Sequence, residues 1–296
     1  MIVLVDKPAG MTSHSVVARI KYALKKHDKN VKVGHTGTLD PMCTGVLPVL
    51  IGKYTKLSDI LPSDKEYKAG LLLGMTTDTE DITGTVLEEK SCNYSFEDVL
   101  KAVNSFKGEI FQTPPMYSAI KVNGQKLYHL ARQGIEINRE PRKIYIYDIN
   151  CEETDIKNEY IIYVSCSSGT YIRTLCADIG KKLGCGGCMS SLQRIKANGF
   201  GLEDTYSLEE VIRLAEKNDI NSISISCEEI FEYVSLAYIA DSAVKYYLHG
   251  GEIDNKRVEI TMKKQTDFYL VYNSNKEFLG LGQFNKNNMF KSIWYN

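Results

Sequence analysis

The sequence is short of several features that would have settled its class at once. None of its apolar runs approaches the roughly 18 residues of a membrane-spanning helix, so a helical integral membrane protein is not expected. The N-terminus, MIVLVDKPAG, has no basic stretch ahead of its apolar run; it reads as the first strand of a fold and not as an export signal, which points to the cytoplasm. Of the eight cysteines only Cys185 and Cys188 have a suggestive spacing. No second Cys or His pair stands near them at zinc-site spacing, so they read as small residues of a glycine-rich turn, and the cysteines as reduced thiols. Internal repeats, heptads and low-complexity tracts are absent. Charge of one sign is not in excess either, since the net charge is −1.

That near-neutral total hides an uneven distribution. Residues 1–68 carry eleven Lys/Arg against six Asp/Glu, and residues 101–147 carry eight against three. Residues 203–232 carry two against nine. Two basic segments in a near-neutral chain can build one electropositive face for a polyanion, or can simply be solvated surface; charge alone leaves both open.

A chain of 296 residues, 43% apolar, allows one large domain or a large one and a small one. IVLVD at 2–6 predicts a strand, and Ser13 is placed to cap a helix over about 13–27. Residues 33–45 are a loop rich in Gly and Thr, and KEYKAGLLLG (65–74) is a buried strand ahead of the Thr- and acid-rich loop 76–84. Ser95 caps a helix near 96–105, strands follow near 143–152 and 159–167, a helix from 171 stops at Gly184, and another covers 207–217. From about 236 short β-like runs (VEITM, FYLVY, FLGLGQF) suggest a separate small β-rich module. Helices and strands mix without βαβ alternation, which favours an α+β fold. The expected division is a domain over 1–232, with an insertion at 112–143, and a module over 236–296.

Chemistry is best sought in Gly34-His35-Thr36-Gly37-Thr38-Leu39-Asp40-Pro41. Its glycines let backbone approach a ligand, and the proline pushes Asp40 toward extended conformations that project its carboxylate from the loop. Such a carboxylate can be a nucleophile, a base or a metal ligand, or merely part of an Asp-Pro turn. Neither a phosphate-binding P-loop nor a dinucleotide fingerprint fits these residues.

GHTGTLDP followed by TGVLPV resembles the catalytic motif of the TruB family, the tRNA pseudouridine-55 synthases. DKPAGMTSHSVV, KEYKAGLLLGMTTDTEDITG, TPPMYSAIKVNGQKLYHLARQGIEI and CSSGTYIRTLCADIGKKLGC resemble further motifs of that family, in family order, across about 1–200. The C-terminal 60 residues resemble, less specifically, a PUA-type RNA-binding module. Met42, Cys43 and Cys188 depart from the family pattern. The resemblance implies a pseudouridine-synthase-like mixed sheet with flanking helices. It also implies an enzyme that isomerises one uridine in the T-arm of tRNA, with no cofactor, metal, guide RNA or obligate protein partner. Asp40 falls on the nucleophile, Tyr67 on the tyrosine that stacks on the flipped base, and Arg173 on the arginine that pairs with the catalytic carboxylate. His35 falls beside the flipped nucleotide, and Tyr171 and Leu192 on the uridine pocket. Lys7 and Lys21, in basic stretches, are expected phosphate contacts. Arg173 is expected to grip Asp40 with its fork and to hold it ionised against burial. No exposed apolar helix stripe asks for a partner, so a monomer is expected.

Overall fold

The computed structural model describes residues 1–122, 124–261 and 266–296. Among these, ten strands make one mixed sheet. From one edge its order is Tyr206–Ser207, Ile2–Lys7, Thr44–Ile51, Gly187–Ala197, Lys65–Leu73, Glu159–Cys166, Arg142–Glu153 and Gly108–Gln112. Two short strands, Val33–His35 and Phe200–Gly201, pair beside Thr44–Ile51 and Gly187–Ala197.

The alternation of a strand decides what each face meets. Along the first strand Val3 and Val5 pack with helices Ser13–Leu24 and Leu208–Glu216, whereas Ile2 and Leu4 point the other way. Beyond the middle of the sheet, Tyr67, Ala69 and Leu71 pack with helices Phe96–Asn104 and Ile172–Leu183. Ser95 caps the former through a reciprocal pair with Asp98, and Gly184, at φ 83°, ends the latter.

Ser13 does not cap its helix. Thr12 does, accepting from the amide of Ser15, and the helix is Ser13–Leu24. The Ser13 side chain is buried and serves the active-site loop instead.

The C-terminal residues form a six-stranded sheet, with Phe278–Phe284 and Met289–Tyr295 paired near its middle and helix Asp241–Leu248 alongside. This module packs directly against the large sheet. Ile2, Leu4 and Leu50 share one apolar cluster with Leu270, Leu281 and Trp294. The Trp294 indole donates to the carbonyl of Lys53 (3.0 Å) and meets the Tyr54 ring edge-on at 5.1 Å.

The insertion carries a hairpin, Lys121–Val122 with Gln125–Lys126, and a single helical turn, Leu127–Ala131. Asn123 of the insertion lies outside the described residues, as does Met262 of the VEITM run.

Candidate active site

One row of cross-strand neighbours forms the floor of the site. Tyr67 pairs with Arg194, Arg194 with Gly45, and Gly45 with Lys7, on four successive strands. Side chains paired in this way emerge on one face, the face that carries the four helices. Gly45 is needed there: at φ +104° a Cβ would lie 2.2 Å from the backbone oxygen of Arg194.

Over this floor lies the loop that ends in Asp40, and buried groups tie it down. The Ser13 hydroxyl accepts from the amide of Leu39 (2.8 Å) and donates to its carbonyl (3.2 Å). The amide of Gly10 donates to the carbonyl of Pro41 (2.7 Å). The Lys7 ammonium, fully buried, donates to the carbonyls of Pro8 (2.8 Å), Met11 (2.6 Å) and Pro41 (3.3 Å). With three donors and three acceptors it has none left for phosphate. The expected phosphate contact at Lys7 is therefore corrected to an internal brace behind Asp40. Lys21 sits half-buried in the last turn of its helix.

Asp40 keeps 37% of its side-chain surface exposed, and its Oδ2 lies 2.9 Å from Nε of Arg173, which is 6% exposed. The sequence reading brought these two together correctly, but the contact is not a fork. The other guanidinium nitrogens of Arg173 donate to the carbonyls of Thr79 (2.9 Å) and Tyr117 (2.8 Å). Arg173 thus joins three segments at one point: the Asp40 loop, the 76–84 loop and the start of the insertion.

A second carboxylate was missed. Asp81, buried, lies 3.8 Å from the same Nε. It accepts from the amide of Thr83 (2.9 Å) and the hydroxyls of Thr79 (2.9 Å) and Thr83 (2.5 Å). Burial raises the Asp40 carboxyl above its ordinary value, the Arg173 charge opposes this, and the Asp81 charge adds to the rise. The balance is a raised pKa: the Arg173 charge does not outweigh burial. Asp81 stands out in sequence only as one of several acids in TTDTEDITG.

Tyr67 lies on the floor, 7% exposed. Burial pushes its hydroxyl up to about 12, with the Arg194 charge pulling against it. His35 is half-buried on its short strand, and burial, Arg194 and His14 lower its pKa, favouring the neutral ring. Tyr171 stands at the N-cap of the Arg173 helix; its amide donates to the Gln112 side chain (2.8 Å), which donates back to the Tyr171 carbonyl (3.0 Å). Burial raises the Tyr171 hydroxyl, with Arg173 and Asp40 among the charges it senses. Leu192 packs against the cluster that holds Leu39, Cys43 and Tyr67.

Arg194 is the other residue that sequence reasoning missed. It is fully buried, with Nε donating to the carbonyl of Val46 (2.8 Å) and Nη2 to that of Gly37 (3.1 Å). Its Nη1 has no hydrogen-bond partner. A buried donor left so costs about 1–3 kcal/mol.

Cys185 and Cys188 are buried free thiols, and no cluster of His, Cys, Asp or Glu suited to a metal occurs among the described residues. No described helix is long and apolar enough to cross a membrane.

Comparison with known proteins bears on this arrangement. A family model described as "TruB family pseudouridylate synthase (N terminal domain)" matches residues 24–172, and one described as "tRNA pseudouridylate synthase B C-terminal domain" matches 173–228. The "tRNA pseudouridine synthase B" of Clostridium kluyveri is 43% identical over 292 residues, covering 98% of this chain and 96% of that protein. Its namesake from Clostridioides difficile is 42% identical over 299 residues, covering 99% and 97%. Among solved structures the chain resembles one in "Crystal Structure of a Cbf5-Nop10-Gar1 Complex", with TM-score 0.70 and 29% identity over 95% of this chain and 77% of that one. It also resembles one in "Structure of H/ACA RNP bound to a substrate RNA containing 2'-deoxyuridine", with TM-score 0.67 and 27% identity over 95% and 77%.

Proposed function

The chain belongs to the TruB family of pseudouridylate synthases, and from that premise we propose that it isomerises the uridine at position 55, in the T-arm of tRNA, with Asp40 as nucleophile. The observation that carries the reading is the Asp40 carboxylate, part exposed, held 2.9 Å from the buried Arg173. A pinned, ionisable oxygen beside a permanent cation is what a covalent attack inside a dry pocket requires.

The reaction exchanges an N–C glycosidic bond for a C–C one. N1 of the uracil leaves C1′ of the ribose, the base turns, C5 bonds to C1′, C5 loses its proton, and N1 gains one. Nothing is oxidised and no outside group is transferred. The uridine first leaves its stack, at a cost of about a few kcal/mol. Stacking on an aromatic ring returns roughly 1–3 kcal/mol, and Tyr67 offers that ring. In this reading the Tyr67 hydroxyl serves proton removal at C5, His35 neighbours the flipped nucleotide, and Tyr171 and Leu192 wall the base.

The enzyme works alone in the cytoplasm, as a monomer. Residues 1–232 act as the catalytic domain and 236–296 as a PUA-like module for RNA. The basic insertion 112–143 supports binding without a guide RNA, because a stand-alone enzyme must grip its substrate itself. The test is direct: purified chain and an unmodified tRNA transcript, with pseudouridine mapped by position. Product at U55 with no added RNA is expected. Activity only with a guide RNA, or none in any mixture, would overturn the reading.

A further inference from the structure

We propose that Arg194 is a positioning residue for Tyr67: its buried guanidinium, through the free Nη1, steadies the Tyr67 oxygen as an anion while that oxygen takes the proton from C5 of the uracil. The proposal rests on the function given above and deepens it.

Arg194 is enclosed by protein on every side and has no surface open to water. Two of its nitrogens are spent on the carbonyls of Val46 and Gly37, which fixes the plane of the guanidinium. The third, Nη1, is left without a partner. Register sets Arg194 directly opposite Tyr67, on the same face of adjacent strands.

The charged side chains that feel Arg194 include two of its own sign, Lys7 and Lys65, each with its pKa lowered chiefly by burial, and His35 is held toward its neutral ring. A cation buried among cations is unfavourable unless an anion is expected. Asp40 is engaged by Arg173. The Tyr67 hydroxyl is the acidic group that Arg194 acts on, pulling its pKa down against burial and against Cys166 and Cys43.

The chemistry balances without an added reagent. Once C5 has bonded to C1′ it carries both the sugar and its hydrogen. The Tyr67 oxygen takes that proton as its own hydroxyl proton passes through water to N1; the C–H electron pair becomes the C5=C6 double bond, and the C6=N1 pair becomes the new N1–H bond. Arg194 touches neither sugar nor base; it makes the phenolate less costly.

The experiment compares wild type, Arg194→Met, Arg194→Lys, Tyr67→Phe and the double variant Arg194→Met/Tyr67→Phe. Each is run in single turnovers on tRNA transcripts carrying protium or deuterium at uridine C5, with melting temperature and tRNA affinity measured alongside. Arg194→Met should slow pseudouridine formation by roughly 10²-fold, the scale of a lost proton-transfer contribution. A primary deuterium isotope effect should appear that is smaller in the wild type. On the Tyr67→Phe background the same change should cost little more. Arg194→Lys should recover part of the rate and keep an isotope effect. If Arg194→Met does not fold, the isotope effect of Arg194→Lys decides alone. Slowing without any isotope effect, or an equal penalty with and without the Tyr67 hydroxyl, would overturn the proposal and leave Arg194 as a brace for Gly37 and Val46. A wild type that forms no pseudouridine would overturn the parent reading first, and that result looks different from both.

Discussion

The Asp40 loop and the 112–143 insertion both end at Arg173, yet they are held in opposite ways. Around Asp40 the backbone is seized from below by Ser13, Lys7, Gly10 and Arg194. Thr36 adds a hydrogen bond to Asn198. In the insertion, Lys121, Arg132, Arg142 and Lys143 are exposed. Lys126 and Arg132 lie over the ring of Tyr128 at 5.5 and 5.7 Å. Lys143 has an exposed ion pair with Glu109 (2.7 Å), of the kind worth about 0–1 kcal/mol. One region uses buried hydrogen bonds to fix an oxygen in space; the other holds its charge in weak, mostly exposed contacts. Bond-making needs a position held within a fraction of an ångström, whereas gripping a polyanion needs charge that can adapt.

The comparison breaks most sharply at Asp40. Asp40→Asn should lower turnover by roughly 10⁴-fold or more, since the amide keeps the shape and loses the nucleophile. Its tRNA affinity, from filter binding, should stay close to wild type. A variant retaining more than a few per cent of the rate would remove Asp40 from the chemistry.

Arg173→Lys comes next. Lysine offers a point charge in place of three directed donors, so it cannot serve Asp40, Thr79 and Tyr117 together. Both kcat and melting temperature should fall, because the Asp40 loop loses its link to the insertion. Unchanged values in both measurements would mean that the three-way junction is dispensable.

The insertion gives a different pattern. Neutralising Lys121, Lys126 and Arg132 together should weaken tRNA binding and flatten its salt dependence, by roughly 1 unit of log–log slope for each phosphate no longer neutralised. Single-turnover rates at saturating RNA should change much less. Equal slopes for variant and wild type would put the RNA elsewhere.

Smallest is the shift in pH dependence. Activity needs ionised Asp40, and burial together with Asp81 raises its pKa, so the acidic limb of kcat/KM should lie above the ordinary carboxylate range. Activity is then present above that limb and lost as pH falls through it. Asp81→Asn removes a neighbouring negative charge and should move the limb to lower pH. A limb that stays put, or rises, would show that Asp81 does not act on Asp40 through charge.

Much of this was legible in the chain, for uneven reasons. Asp40, Tyr67 and Arg173 were found through resemblance; the residues alone reached only a projecting carboxylate in a glycine-rich loop. The α+β class followed from element order. Arg194 and the true duties of Ser13 and Lys7 were not found, because each answers to a partner far along the chain. Arg194 is buried by its pairing with Gly45, and Ser13 by Leu39. A cation two positions after Leu192, on the same strand face, was the one available signal. The charge asymmetry was half informative. The basic helix Ser13–Leu24 runs on to Lys26, which pairs with Glu216 of the acidic stretch (2.8 Å), and His27 bonds the Glu216 carbonyl (2.9 Å). Part of the first basic segment thus answers an acidic partner within the fold, as Lys143 of the insertion also does with Glu109.

The seam between the first strand and the last has a consequence for biosynthesis. Ile2 and Leu4 leave the ribosome early, but Trp294, which closes over their face, is among the last residues made. At about 5–20 residues per second the interval is roughly 15–60 s. Throughout it the nascent chain carries an apolar stripe that its own last strand has yet to cover. A chaperone that occupies that stripe competes with the chain's own C-terminus. A message truncated shortly before Met289 would yield every catalytic residue named above on a sheet whose back lacks Trp294, and its product is expected in the aggregate or at the protease.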